Sequence, residues 1–148
     1  MILGFHHVGM ATPDLNQLVG FYTDLFGGQI LKEFSWGDGD TALSQRLGLQ
    51  ISSGRLAMIG FEGARIEVFE FVEPKIALEQ GLRSVAKPGL SHICFRVDDC
   101  QTEYDRLNCA GMSFHSLPLV MPSGGVFAYG RDPDGNVVEI LQPPVKPG

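Results

Sequence analysis

The sequence predicts an α+β protein made of two tandem copies of one unit: a strand, a helix, then three strands. Three observations predict it. First, His7 and His92 open the same pattern: a His, a short apolar stretch, an Asp seven positions on, a helix, and later a strand carrying a Glu, Glu67 or Glu139. Second, Leu15, Leu18, Val19, Tyr22, Leu25 and Phe26 recur at helical spacing. Third, the segments between Gly- and Pro-rich turns alternate with period two. Eight strands are expected to form one mixed sheet curled around a cleft, with the two helices packed outside.

In the first copy, Phe5 to Ala11 reads as a strand whose alternation sends His7 and Gly9 to one face. Thr12-Pro13-Asp14 starts the helix, with a capping side chain and a proline in the first turn, and Gly27-Gly28 ends it. Strands follow at Gln29 to Trp36, Arg55 to Phe61 and Ala64 to Phe71, with Gly63 in the last turn. The polar insertion from Gly37 to Gly54 holds a short helix around Leu43 to Leu47. It is read as a lid at the cleft mouth that substrate orders. Val72 to Gly89, with Pro74 and Pro88, is the linker.

The second copy repeats the order: a strand from Ser91 to Val97, then a helix from Asp98 to Ala110 with Cys100, Tyr104 and Leu107 inward. Strands are expected at Ser113 to Val120, Val126 to Arg131 and Asn136 to Gln142, the last two joined by the turn Asp132-Pro133-Asp134-Gly135. Residues 1–74 and 89–148 are thus two modules of one domain, 1–148. Each alone buries too little apolar surface to be comfortable as an independent fold.

The chain has 148 residues, 44% of them hydrophobic, and a net charge of −6, which marks a globular protein and argues against nucleic-acid or anionic-membrane partners. Apolar stretches are too short for a membrane span, and Met1-Ile2-Leu3 reads as starting directly into structure, so a cytoplasmic location is expected. Cys94, Cys100 and Cys109 have no metal-binding or paired spacing and are expected as buried or half-buried free thiols.

Strand alternation brings His7 and Glu67, and likewise His92 and Glu139, to inward faces. Two carboxylates there are costly unless neutralised, and two imidazoles with two carboxylates suit one divalent ion of Zn, Ni, Co, Mn or Fe.

These motifs carry a family resemblance. His7-Val8-Gly9, Asp14-Leu15, Phe21-Tyr22 with Gly27, Gly89-Leu90-Ser91-His92-Ile93, Val97-Asp98-Asp99 and Asp132-Pro133-Asp134-Gly135-Asn136-Val137-Val138-Glu139 resemble the glyoxalase, bleomycin-resistance and extradiol-dioxygenase superfamily, or vicinal oxygen chelate proteins. The resemblance covers essentially the whole chain. It implies paired βαβββ modules and metal ligands at His7, Glu67, His92 and Glu139, His6 being set aside. Four-ligand members resemble glyoxalase I and methylmalonyl-CoA epimerase. That implies a lyase or isomerase acting on a small oxygenated acid, thioester or ketone through a metal-stabilised enediolate, with Glu67 or Glu139 both ligand and base. Three-ligand members, at His7, His92 and Glu139, resemble fosfomycin thiol-transferases or iron-dependent extradiol dioxygenases. An Fe(II) dioxygenase and a metal-free drug- or metabolite-binding resistance protein are therefore the alternatives.

Departures bear on substrate. Thr23-Asp24 stands where glyoxalase I has an Arg, and Val68-Phe69-Glu70-Phe71 replaces its Asn-Trp-rich segment, which argues against a glutathione adduct. Arg96 either binds a substrate anion or pairs with an acid, and Phe69 and Tyr129 are further candidates for substrate contact. Tyr129 and His115 are read as packed or exposed before they are read as proton donors. Trp36, Phe69 and Phe71 are read as filling a core or cleft wall. The expected partners are a small-molecule substrate and a second copy of the chain.

Overall fold

The computed structural model describes residues 1–37, 39–76 and 82–145. The chain divides into two compact units, Met1–Leu78 and Glu79–Gly148.

In the first unit β1 (Val8–Thr12) leads to α1 (Leu15–Gly20), which continues as one π-helical turn over Phe21–Leu25. Asp14 is the N-cap and its side chain accepts the N–H of Gln17 at 3.0 Å. Pro13 lies before the cap, not in the first turn as expected, and Thr12 fixes the entry by accepting the Asp14 N–H at 3.1 Å. The helix ends at Gly27, whose φ of +68° suits glycine, and Gly28 packs so close that a Cβ there would sit 2.5 Å from Ile59.

Next come β2 (Gln29–Trp36), the short helix α2 (Thr41–Arg46), β3 (Ser53–Phe61) and β4 (Ala64–Glu73). The sheet runs β1-β4-β3-β2, with β1 parallel to β4 and the other pairs antiparallel. Leu15, Leu18, Val19 and Tyr22 of the helix are buried, as are Ala57, Ile59, Ile66 and Val68 of the strands it packs on. The alternate residues of β4, Glu67, Phe69 and Phe71, are half-buried and take the opposite face.

The insertion is a built element. Asp40 caps α2 by accepting the Leu43 N–H at 2.9 Å, and buried Ser44 and Ser52 share a hydrogen bond of 2.9 Å. Ser52 in turn accepts the indole N–H of Trp36 at 3.0 Å. The described part of the insertion is therefore tied to the sheet through the Trp36 indole.

In the second unit β5 (Ile93–Arg96) leads to α3 (Cys100–Cys109), then β6 (Ser113–Phe114), β7 (Leu119–Val120), β8 (Val126–Arg131) and β9 (Val137–Gln142). The order is β5-β9-β8-β6, with β7 also on β8 and β5 parallel to β9. Cys100, Leu107, Met112, Ala128, Val137, Val138 and Ile140 form the core. Tyr104 is only half-buried, its ring 4.6 Å from that of Phe114. Asp132 organises the last turn, accepting the N–H groups of Asp134 at 3.1 Å and Asn136 at 2.8 Å.

The α+β class and the βαβββ order are as the sequence predicts, but the nine described strands lie in two mixed sheets, not one sheet of eight. The extra strand arises because the expected strand from Ser113 to Val120 is broken. Phe114 faces Gly130 while Leu119 faces Phe127, a register offset of two residues. The chain bulges through Ser116-Leu117-Pro118, where Pro118 has no N–H to give. All three cysteines are free; Cys100 is buried, while Cys94 and Cys109 are exposed, contrary to expectation. No helix among the described residues is long and apolar enough to cross a membrane.

Candidate metal centre

Parallel pairing of the first and last strand of each unit places a His beside a Glu. In the first unit Gly9 stands in register with Glu67, and His7 lies two residues earlier, just outside β1. The alternation carries over that step, so His7 Nε2 comes within 3.3 Å of Glu67 Oε2. In the second, Cys94 stands in register with Glu139, and His92 Nε2 lies 3.1 Å from Glu139 Oε2. The expected ligands are thus joined in two pairs, one per unit. Among the described residues no three or more His, Cys, Asp or Glu side chains gather at one place.

Each imidazole is also held from behind. Ser91 Oγ lies 2.9 Å from His92 Nδ1, and His6 Nδ1 lies 2.7 Å from His7 Nδ1. His6 in turn contacts Arg65. His6 and Ser91 occupy the same place in the repeat, directly before His7 and His92, and each engages Nδ1 while Nε2 faces the carboxylate. A hydroxyl that accepts from Nδ1–H, as Ser91 Oγ can from His92, is the kind of outer contact that orients a metal-binding histidine. Sequence reasoning set His6 aside and did not consider Ser91; the available signal was that both immediately precede the repeated His and carry a polar side chain.

The donor set fits a divalent ion. Nitrogen and oxygen donors bound at about 2.0–2.2 Å to one ion stand roughly 3.0–3.5 Å apart for angles between octahedral and tetrahedral, and both pairs lie in that range. The imidazoles are about one-third exposed, at 35% and 33%, so they are reachable, while Glu67 and Glu139, at 20% and 12%, are half-buried beside them.

The surroundings of the two carboxylates differ. Glu67 is flanked in register by Gly9 and Met58, whose side chains have no hydrogen-bond donor. Glu139 is flanked by Cys94 and Tyr129, and the Tyr129 ring packs edge-on to His92 at 5.4 Å. Desolvation, then the charge of Glu139 and a hydrogen bond to it, hold the Tyr129 hydroxyl above its ordinary pKa. The Cys94 thiol is pushed up to about 12 by the same causes, although the residue as a whole is exposed.

The remaining candidates fall as follows. Phe69 lies two residues beyond Glu67 on the same face. Arg96 is exposed on β5 and in register with Leu141. His115 is exposed at the end of β6, its main-chain N–H bonded to the Tyr129 carbonyl at 2.8 Å.

Comparison with known proteins bears on the fold and the family. Methylmalonyl-CoA epimerase, mitochondrial, of Dictyostelium discoideum is 26% identical over 127 residues, 85% of this chain, which spans only 65% of that protein. The solved structure of a glyoxalase family protein from Bacillus cereus matches with a TM-score of 0.86 at 18% identity, covering 98% of this chain and 97% of that one. A genomically encoded fosfomycin resistance protein from Listeria monocytogenes matches with a TM-score of 0.65 at 17% identity, covering 99% and 98%. The likeness to these two structures is one of fold. The family model described as Glyoxalase/Bleomycin resistance protein/Dioxygenase superfamily matches residues 4–140, and the chain belongs to that superfamily.

Proposed function

We propose that the protein is a divalent-metal-dependent lyase or isomerase that moves a proton next to a carbonyl of a small oxygenated acid, thioester or ketone. His7, Glu67, His92 and Glu139 hold the ion, residues 1–148 work as one functional domain, and the active form is a homodimer. The observation that carries the reading is the repeated His–Glu pair, in which each Nε2 faces a carboxylate while Nδ1 is engaged by the preceding residue. The family match and the epimerase relative support the reaction class. Exposed Leu117, Leu119 and Val120 support a second copy as partner.

When bound, a divalent ion supplies Lewis acidity that polarises the substrate carbonyl and acidifies the adjacent C–H. The chain's own residues do the rest. Glu67, with no donor side chain from its register neighbours, has a basic oxygen to take the proton and return it. Glu139 is steadied by Tyr129 and Cys94 and serves as a fixed ligand. Ser91 keeps the His92 imidazole turned so that Nε2 is offered.

The test is metal content of the purified protein, measured together with deuterium exchange from solvent into α-hydroxyketones and acyl thioesters. Near-stoichiometric metal with exchange at the carbon next to the carbonyl supports the reading. Oxygen uptake with catechols that requires ferrous iron would replace it with a dioxygenase, and protein that binds no added divalent metal would replace it with a metal-free binding protein.

A further inference from the structure

The face of the first sheet that carries Glu67 is an array fixed by strand register. One row across the strands is Gly9, Glu67, Met58 and Lys32; the next is Ala11, Phe69, Leu56 and Phe34; the third is Phe71, Gly54 and Trp36. Residues two apart on one face of a strand lie roughly 6.6–6.8 Å apart, so the aromatic rows begin one such step from the carboxylate.

Those rings are ordered. Phe69 and Phe71 stack at 5.7 Å with an interplanar angle of 10°, and Trp36 presents its edge to both, at 6.2 Å and 5.6 Å. Phe34 lies parallel to Trp36 at 6.3 Å. A Cβ at Gly54 would sit 2.2 Å from the Glu70 main-chain oxygen and 2.9 Å from the Trp36 ring, so glycine there leaves room for both the neighbouring strand and the indole. The indole is then pinned by Ser52, which Ser44 of α2 holds. A cluster serving only as core would be covered throughout; here Phe34 is 40% exposed, and the ammonium of Lys32 lies over its ring at 5.7 Å. In a chain of net charge −6, Lys32 puts a positive charge in the Glu67 row.

We propose that this array is the substrate-binding wall of the proposed site, and that the substrate is an aromatic oxo or hydroxy acid. Its oxygens reach the His7–Glu67 pair, its ring lies against Phe69 and its neighbours, and its negative charge is met by Lys32. The inference rests on the metal-site reading and adds the substrate class to it. Flat rings gain from edge-on and stacked contact beyond the area they bury, so selectivity for an aryl over a methyl group is the direct consequence.

Trp36 is the single tryptophan of the chain, so its fluorescence reports on the wall. Zinc-loaded protein is titrated with phenylglyoxylate and with pyruvate, which share an oxo-acid end and differ in the ring. Phenylglyoxylate should bind at least about tenfold more tightly and perturb Trp36. Phe69→Leu should remove most of that preference while zinc stoichiometry stays at the wild-type value, and Lys32→Gln should weaken both acids alike. Equal binding of the two acids to wild type, or equal weakening of both by Phe69→Leu, overturns the wall while leaving the metal reading standing. If the protein takes up no zinc, the metal reading fails; phenylglyoxylate quenching of Trp36 that persists without metal then keeps the wall, and its absence overturns that as well.

Discussion

Glu70 Oε2 accepts the main-chain N–H of Leu15, the first residue of α1, at 2.6 Å. Gln142 does the same in the second unit, accepting the N–H of Cys100, first residue of α3, at 3.0 Å. The last strand of each unit thus ties down the start of its helix and fixes the strand against which His7 or His92 is presented. Glu70 is also held by Arg55, through contacts of 3.2 Å and 2.9 Å.

Glu70→Ala should therefore destabilise the first unit by about 1–3 kcal/mol, since it strands a helix N–H and the guanidinium, whereas Glu70→Gln should cost less by keeping an acceptor. Denaturant unfolding of the two variants checks this order.

The same carboxylate gives a pH signature. The hydrogen bonds from Arg55 chiefly, and from Leu15, hold the Glu70 carboxyl below its ordinary value of 4.5. A lowered folded pKa means that the stabilisation is fully present above about pH 4.5 and is lost as pH falls through the folded value. Glu70→Gln should lose less stability than wild type between pH 5 and pH 3, measured as the change in thermal midpoint; parallel loss in both proteins would assign the acid sensitivity elsewhere.

At the metal site, His92→Ala should abolish tight metal binding and leave a folded protein, because the imidazole is one-third exposed and lies outside the apolar core. Unchanged metal content in this variant would remove His92 from the ligand set. Ser91→Ala should lower metal affinity by roughly 10–100-fold, the usual effect of losing an outer partner of a ligating histidine. Competition with a chelator gives both numbers.

Glu67→Gln keeps an oxygen and nearly the same volume but removes the charge and basicity. Metal affinity should fall modestly while solvent exchange into substrate falls by roughly 10²–10⁴. Turnover within a few-fold of wild type would move the base to Glu139.

Ser52→Ala should leave the buried Trp36 indole N–H without its acceptor, at a cost of about 1–3 kcal/mol, while Ser44 keeps the Asp40 carbonyl and the main-chain N–H of residue 52. Tryptophan emission should shift to the red, and amide exchange in α2 should quicken in the absence of any ligand. Unchanged α2 exchange would mean that the insertion is held by something other than this network.

The sequence makes the repeated elements legible because a repeat supplies its own control: His7 and His92, Asp14 and Asp99, Glu67 and Glu139 each test the other. That each His and Glu can share a face follows from period two, which is readable from pattern, whereas the parallel register that sets them side by side comes from the structure. What escaped has physical reasons. The break at Ser116-Leu117-Pro118 is a register offset, and apolar alternation resumes beyond it, so the segment scans as one strand. The ends of β1 and β5 were read too early because alternation runs through His7 and His92 although ladder bonding starts after them. The parts of His6 and Ser91 depend on rotamers that spacing does not specify. Trp36 and Phe71 read as wall residues, but their edge-on contact in the third row from Glu67 emerges only once β2, β3 and β4 are in register.

The interruption between β6 and β7 also shapes how this sheet meets other chains. A long, even outer strand offers a continuous row of unused N–H and C=O groups onto which a foreign strand can add. The second sheet has no such row on that side, since two short segments out of step by two residues, with a proline between them, cannot template an extended partner. In the first sheet the corresponding position is held by β2, eight residues long and exposed over most of its length, with Lys32 and Glu33 as its charged guards. Protection against unwanted self-assembly is therefore achieved by a broken backbone in one copy and, in the other, by charge together with a register shift between Ile30 and Lys32.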